Sequence, residues 1–469
     1  MTFRKCYVNI FSQQFTTMSL TKYKEGSVRE LWSLSFPLML SSLSVMLMLF
    51  VDRLLLANFS QEAFNAAVNS TTLGWTFLYG GLILTSVAEV FVAQYNGAGQ
   101  KEKLGEPVWQ MLWLSLVSLL FFLPAAYIFP ALFYGSGPER ILEREYFSWM
   151  LFFGPSYLFY GALCGFFVGQ GKIRIITWLA VISNLLNAGL DIVLIFGFQD
   201  IIPPLGITGA AIATSGSQIF QVFILFFVFQ KKTYREQSGT ADWRPKLRPF
   251  LQCIKIGLPG SLFNFLEIGG WAVFYLMMGL VSEAYLTIAG ICQSIEIFFY
   301  FFGEGLSKGV STVSGNLIGA GRSHLVSKTV KSSIKLQALF FISALAIVIF
   351  AFEFIQKLFL PNFSLAENPE FSDSLYTSIL LITLYLFFSG IRMALSGALT
   401  AAGDTLFLLA ANTFSSWCLM VLPVYLLVVQ MGFPVEAAVA ACVGYGILSS
   451  LILSIRFKKG SWKTIVITA

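Results

Sequence analysis

The stretch KKTYREQSGTADWRPKLRPF, residues 231–250, is the only long polar segment inside this 469-residue chain. On each side of it, apolar windows of about twenty residues recur six times, the length a helix needs to cross a bilayer. The sequence therefore predicts an all-α membrane protein with twelve transmembrane helices in two six-helix lobes. The predicted spans lie near 32–57, 72–95, 108–131, 146–169, 175–197, 207–230, 257–281, 285–318, 333–359, 376–400, 405–429 and 434–456.

The composition agrees with a chain whose solvent is lipid. Hydrophobic residues make up 57% and charged residues 12%, with a mean hydropathy of +0.76. Soluble domains carry roughly 25% charge, and an outer-membrane barrel would need a polar lumen face at every second residue. The net charge of +6 comes mostly from segments between spans, so it does not indicate nucleic-acid binding.

The positions of the basic residues predict the orientation. Most of the 30 Lys and Arg lie before the first span, after even-numbered spans or at the C-terminus. By the positive-inside rule both termini are then cytoplasmic in a bacterial inner membrane.

No cleavable signal peptide is apparent, and Met18 is an alternative start. The predicted segments are an N-terminal segment 1–31, an N-lobe 32–230, a linker 231–250, a C-lobe 251–456 and a tail 457–469.

The two halves repeat each other at a constant offset along the chain. Pro37 in the first span and Pro259 in the seventh are separated by the same offset as two GAG triplets. These triplets end the motifs AQYNGAG (93–99) and SGNLIGAG (314–321). A second, slightly larger offset is shared by the glycine pairs Gly165–Gly397 and Gly171–Gly403. Since each half has an even number of spans, the repeats are parallel and related by a pseudo-twofold axis along the membrane normal. Such halves with a site between them are typical of alternating-access transporters.

Polar side chains at membrane depth are the first candidates for function. Asn184, Asn187 and Asp191 share one face of the fifth span, and Asp52 lies at similar depth in the first. Two carboxylates and two amides can hold a proton or coordinate a small cation such as Na⁺. The alternative is structural: the amides bond neighbouring helices and Asp52 pairs with Arg53.

The second half has its own polar set. Asn264 and Glu267 share a face of the seventh span, and Glu267 has no obvious partner on its own helix. The eighth span carries a ladder with helical spacing: Gln293, Glu296, Tyr300, Glu304 and Lys308. Glu304 and Lys308 are expected to neutralise each other as an i,i+4 pair.

Arg392 in the tenth span needs an acidic partner, because an unpaired charge inside a membrane protein is costly. By depth, Glu304 and Glu296 are the best candidates and Glu267 is a third.

Several motifs in this order resemble the multidrug-and-toxin-extrusion (MATE) family, NorM-like and DinF-like members in particular. The likeness runs from about residue 28 to 456, and its motifs are FPLMLSSLSVMLMLFVDRLLLANFS (36–60), VAQYNGAG (92–99), LPGSLFNFLE (258–267) and GALTAAGDT (397–405). The pair Asn187 and Asp191 resembles the N-lobe polar site of the DinF-type branch. The resemblance implies a twelve-helix antiporter that expels organic, often cationic, compounds in exchange for H⁺ or Na⁺.

One departure from the family pattern decides where we expect the coupling ion. NorM-type members carry an aspartate in the tenth helix where this chain has Ser389, with Arg392 one turn away. We therefore expect the ion at Asp52, Asn184, Asn187 and Asp191, in the N-lobe. Glu267 is then an accessory residue of a substrate cavity, together with Asn264, Gln293, Glu296, Tyr300 and Arg392.

Two other functions fit a polytopic membrane protein. A flippase for a lipid-linked saccharide would belong to the same superfamily but tends to have a strongly basic central cavity. An intramembrane enzyme, such as an acyltransferase or a protease, would need a catalytic His or a paired-Asp motif inside the membrane, and the sole histidine, His324, lies in a loop. We expect no cofactor besides the coupling ion, no nucleic-acid partner, a small organic substrate and a monomer in the bilayer.

Overall fold

The computed structural model describes residues 20–135, 137, 140–199, 201–360 and 368–465, and for Thr72 only the backbone. Within those residues, twelve helices are long and apolar enough to cross a membrane. The first six are α1 (Val28–Phe59), α2 (Gln61–Gly97), α3 (Lys101–Tyr134), α4 (Ile141–Gly169), α5 (Ile173–Phe196) and α6 (Gly206–Phe229). The last six are α7 (Leu247–Val281), α8 (Glu283–Gly319), α9 (Ser323–Phe350), α10 (Pro369–Ala401), α11 (Thr405–Gln430) and α12 (Val435–Lys459). The predicted number of spans is confirmed; Met18 and the outer ends of both predicted terminal segments lie outside the described residues.

Several helices extend past their apolar windows. The second begins at Gln61, well before its window, because Ser60 caps it: the Ser60 hydroxyl accepts the Ala63 amide at 3.0 Å. The ninth window, predicted to run to 359, is wrong at its end. The spanning helix stops at Phe350, and a separate short helix, Phe352–Phe359, follows with none of its side chains buried.

The turns of the two halves repeat with the spacing seen in the sequence. Ser60 and Ser282, which have the same offset as Pro37 and Pro259, are single-residue breaks with nearly identical extended backbone, φ −161° and −166°. Gly99 and Gly321, at that same offset, adopt φ of +73° and +72°. A positive φ favours glycine, which explains why this residue recurs at both turns.

The two halves are packed together on the side of the bundle where the linker lies, called here the linker side. The Gln94 amide donates to the Ala401 carbonyl at 2.7 Å, and Asn96 donates to Asn316 at 2.6 Å. A Cβ on Gly319 would stand 1.9 Å from the Gln94 carbonyl oxygen. The GAG triplets are therefore the places where α2 and α8 approach backbone to backbone.

The linker is packed against the start of α3. The Trp109 indole donates to the Thr240 carbonyl at 2.9 Å, and Lys246 forms a 2.9 Å ion pair with Glu106. These contacts attach the linker to the N-lobe.

Candidate ion and substrate sites

The carboxyl groups of Asp52 on α1 and Asp191 on α5 form a buried pair in the N-lobe. Their exposed fractions are 4% and 0%, and the two side chains lie within hydrogen-bonding distance of each other. Both carboxylates are hydrogen-bond acceptors, so this contact is a bond only if one carries a proton. The two residues predicted to act together are thus brought together by the fold.

Most of the oxygens of this pair have no donor in good hydrogen-bond geometry, although the Asn187 side chain lies close to Asp191. Thr214 on α6 donates to Asp52 Oδ2 at 3.1 Å. Asp52 Oδ1, both oxygens of Asp191 and the Asn187 Oδ1 have no hydrogen-bond partner among the described residues. Buried acceptors are normally satisfied, so four unsatisfied oxygens in one place indicate a site for a proton or a cation.

Basic residues do not neutralise the pair. Arg53 is exposed, and the ion pairs between described residues include neither Asp52 nor Asp191. Two adjacent buried carboxylates repel each other unless a proton or a cation lies between them. The predicted structural alternative, an Asp52–Arg53 pair, is not formed.

Asn184 belongs to a different part of the site. It donates to Ser44 on α1 and lines the large cavity between the lobes, whereas Asp52, Asn187 and Asp191 lie behind the cavity wall. The prediction that grouped Asn184 with the carboxyl pair is therefore corrected. Along α5, Asn184 lies two helical turns, about 10 Å, from Asp191.

Thr214 is the residue that the sequence analysis missed. It contacts Asp52 and Asn187 and also lines the cavity, so it connects the carboxyl pair to the space between the lobes. Its spacing from Gln218 and Gln221 along α6 makes a polar face at helical periodicity. That face is the sequence feature that would have identified it.

The first cavity, about 580 Å³, lies between the lobes at mid-helix. Its aromatic lining includes Trp75, Tyr79, Trp271, Tyr275, Tyr300 and Tyr385. The residues predicted for a substrate cavity all line it: Asn264, Glu267, Gln293, Glu296, Tyr300 and Arg392.

Arg392 pairs with Glu267, the third of the three predicted candidates. Its guanidinium lies 3.0 Å from Glu267 Oε1, with side-chain exposures of 7% and 18%, and the Tyr445 hydroxyl donates to the same oxygen at 3.2 Å. The preference for Glu304 or Glu296 was wrong because depth along a helix does not show which way a side chain points. α7, rather than α8, presents the carboxylate to α10.

The other acidic residues of α8 have separate roles. Glu304 and Lys308 form the predicted pair at 2.8 Å, and Tyr79 donates to Glu304 at 3.1 Å. Glu296 lines the first cavity and forms no ion pair with a described residue. Among the described lining residues, it is the one carboxylate that this cavity presents without a basic partner.

Comparison with known proteins identifies the family to which this architecture belongs. A family model for MatE matches residues 37–193 and 259–426, and the two segments begin at Pro37 and Pro259, the prolines matched in the repeat. The chain belongs to the MatE family. MatE proteins are transporters and not enzymes, which confirms that this chain is a non-enzymatic membrane transporter.

Relatives and solved structures of this MatE chain agree. It is 24% identical to a probable multidrug resistance protein NorM of Thermotoga maritima, with 93% of each chain covered. The corresponding protein of Bradyrhizobium diazoefficiens is 25% identical over 91% of this chain and 92% of its own. A MOP superfamily transporter from Pyrococcus furiosus has the same fold, with a TM-score of 0.83 at 17% identity over 94% of this chain and 97% of that one. A MATE family transporter in an outward-facing conformation gives 0.82 at 17% identity with the same coverage.

NorM-type members carry an aspartate in the tenth helix. By the resemblance, Ser389 occupies that position in this MatE chain. It is buried and lines the first cavity beside the Glu267–Arg392 pair. The C-lobe therefore offers no carboxylate at that position.

Proposed function

We propose that this protein exports organic compounds, drugs among them, by antiport against H⁺ or Na⁺. The observation that carries the proposal is the Asp52–Asp191 pair, two buried carboxyl groups in contact without a basic partner among the described residues. The NorM relatives, whose names describe multidrug resistance, support drugs as the cargo.

The ion acts through a difference in affinity between two states of the carrier. In the arrangement seen here the lobes touch on the linker side, and Thr214 joins the carboxyl pair to the cavity. An ion drives transport only if it binds one state more tightly than the other. We propose that substrate in the cavity and ion at the pair favour opposite states, with Thr214 as the group that both contact.

The substrate is held by an aromatic cavity that has little free charge. Glu267 and Arg392 neutralise each other, as do Glu304 and Lys308. Aromatic walls bind organic molecules of many shapes by contact area and by cation–π attraction. A flippase for lipid-linked sugars would need unpaired basic groups for a phosphate, and both basic residues of this cavity are already ion-paired.

We further propose an inner-membrane monomer with both termini and the linker in the cytoplasm. In a background without natural cysteines, Lys232→Cys should react with a membrane-impermeant maleimide only after the cells are opened. Glu62→Cys, at the other end of the bundle, should react in intact cells. The reverse pattern contradicts the proposed orientation.

Transport in proteoliposomes tests the function directly. Export of ethidium is measured with a proton gradient alone, a sodium gradient alone, and neither. Dependence on one gradient supports antiport and names the ion. Equal export in all three conditions overturns the antiport proposal, and movement of a lipid-linked saccharide without ethidium export would favour the flippase.

A further inference from the structure

A second cavity, about 310 Å³, lies next to the first on its linker side, between α2, α7, α8, α10 and α11. The two cavities share one wall. That wall contains both ion pairs, Glu267–Arg392 and Glu304–Lys308. The second cavity therefore lies directly behind the two ion pairs, on the linker side of the first cavity.

The charges that line the second cavity do not balance. Among the described residues it is lined by three carboxylates and two basic groups. Lys308 is 2.8 Å from Glu304 and Arg392 is 3.0 Å from Glu267, which leaves Glu89 on α2 without an ion-pair partner. One carboxyl group thus remains without a basic partner and is available to a ligand.

Glu89 is only partly satisfied by its neighbours. The Thr312 hydroxyl donates to it at 3.1 Å, but that same hydroxyl lies 3.0 Å from the Lys308 carbonyl oxygen. A hydroxyl has one proton for these two acceptors. Ser311 is the other side chain within hydrogen-bonding reach.

The backbone of Glu89 is fixed by a glycine face on α4. A Cβ on Gly165 would stand 2.8 Å from the Glu89 amide nitrogen, and one on Gly169 would stand 2.8 Å from its carbonyl oxygen. α2 and α4 can approach this closely only because both positions lack a side chain. The carboxylate is therefore presented to the cavity from a rigid support.

Two amide oxygens in the cavity wall are further acceptors. The Oδ1 atoms of Asn412 on α11 and Asn264 on α7 have no hydrogen-bond partner among the described residues. Asn412 is only 2% exposed, so its side-chain carbonyl is buried without a hydrogen-bond donor among the described residues. A carboxylate and two free carbonyls suit a ligand group that is positively charged and has several N–H donors.

We propose that the second cavity is a binding site for an organic ammonium, with Glu89 as its counter-charge and Asn412 and Asn264 as acceptors. Much of the remaining wall is apolar, including Phe263, Leu408 and Leu409, which suits an attached hydrocarbon or aryl group. A bare metal ion would fill only a small part of 310 Å³. The site rests on the proposed function only in that its ligand belongs to the class of exported compounds.

Binding of 4-bromophenethylammonium to purified protein without any ion gradient tests the site. Isothermal titration compares wild type with Glu89→Gln, which removes the charge and keeps the shape, and with Asn412→Leu. Hydrogen bonds to charged groups are stronger than neutral ones, so Glu89→Gln should weaken binding at this site roughly tenfold or more. The matched control is Glu296→Gln, which removes the unpaired carboxylate of the first cavity and should leave this site unchanged.

The bromine locates the ligand in crystals by anomalous scattering. Density beside Glu89 in wild type, lost in Glu89→Gln and kept in Glu296→Gln, supports the proposal. Density in the first cavity only, or equal weakening by both Gln variants, overturns it. So does displacement of the ligand by Na⁺ but not by unbrominated phenethylammonium, which would make this an ion site. Because no gradient is used, failure here leaves the antiport proposal standing, and loss of antiport leaves this result standing.

Discussion

Each lobe holds a close pair built on a carboxylate of its first helix, Asp52 or Glu267, but the partner of that carboxylate differs. In the N-lobe, Asp52 and Asp191 are in contact and lack a basic partner among the described residues. In the C-lobe, Glu267 is bonded to Arg392 and Tyr445. The repeated architecture therefore holds an unneutralised pair on one side and a neutralised pair on the other.

The two pairs are suited to different tasks, binding an ion and shaping the cavity, although the two lobes have the same fold. A neutralised ion pair has little to gain from an added ion, because its charges are already matched. A carboxyl pair without a counter-ion must take up a proton or a cation to be stable when buried. We therefore propose that the N-lobe pair couples the ion and that the C-lobe pair shapes the cavity.

The strongest test of this contrast is the loss of charge in the N-lobe. Asp191→Asn keeps the shape but removes the titratable group, so gradient-driven export should fall to background. Asp52→Asn should do the same. Export by purified protein in proteoliposomes is the measurement, with thermal unfolding as the control for folding.

Glu267→Gln is the matched change in the C-lobe. It should lower export only partly or change which substrates are accepted, because it removes a structural pair. A fully active Asp191→Asn beside an inactive Glu267→Gln would reverse the assignment and move coupling to the C-lobe.

A second test concerns stability, where the C-lobe should be the more sensitive. Arg392→Ala leaves the Glu267 carboxylate buried and unpaired, and breaking a buried pair costs about 3–5 kcal/mol. The melting temperature in detergent should drop clearly, whereas Asp191→Asn should leave it unchanged or raise it, because it removes repulsion.

The double variant Arg392→Ala with Glu267→Gln should recover part of the lost stability, since no charge is then left alone. Arg392→Ala with Glu296→Gln is the comparison, because Glu296 is not bonded to Arg392. Equal recovery in both double variants would show that the pairing seen here does not determine stability.

The smallest expected effects come from two hydroxyl groups, one in each lobe. Thr214 donates to Asp52 at 3.1 Å and Tyr445 donates to Glu267 at 3.2 Å. Each bond is worth about 1 kcal/mol. Thr214→Val should shift the ion concentration needed for half-maximal export severalfold, and Tyr445→Phe should not.

Thr214→Ser keeps the hydroxyl and should behave like wild type. If Thr214→Val leaves the ion dependence unchanged while Tyr445→Phe shifts it, the link between the cavity and the coupling site lies in the C-lobe.

The sequence alone determined the class of fold. Twelve apolar stretches, the basic bias and the matching Pro and GAG positions are local or periodic features, and a helix in lipid must satisfy its own backbone. The number of spans therefore follows without knowledge of packing. The same reasoning found Asp52, Asn187 and Asp191, because carboxylates at membrane depth are rare and stand out.

Only the tertiary structure decided which of these groups touch. Spacing along one helix shows a shared face, but the rotation of that helix against its neighbours comes from packing between distant parts of the chain. This is why Arg392 meets Glu267 rather than Glu304, why Asn184 faces the cavity instead of the carboxyl pair, and why Thr214 joins the two. Partners in separate helices are set by close approaches such as Gly319 against Gln94, and a one-dimensional pattern does not contain them.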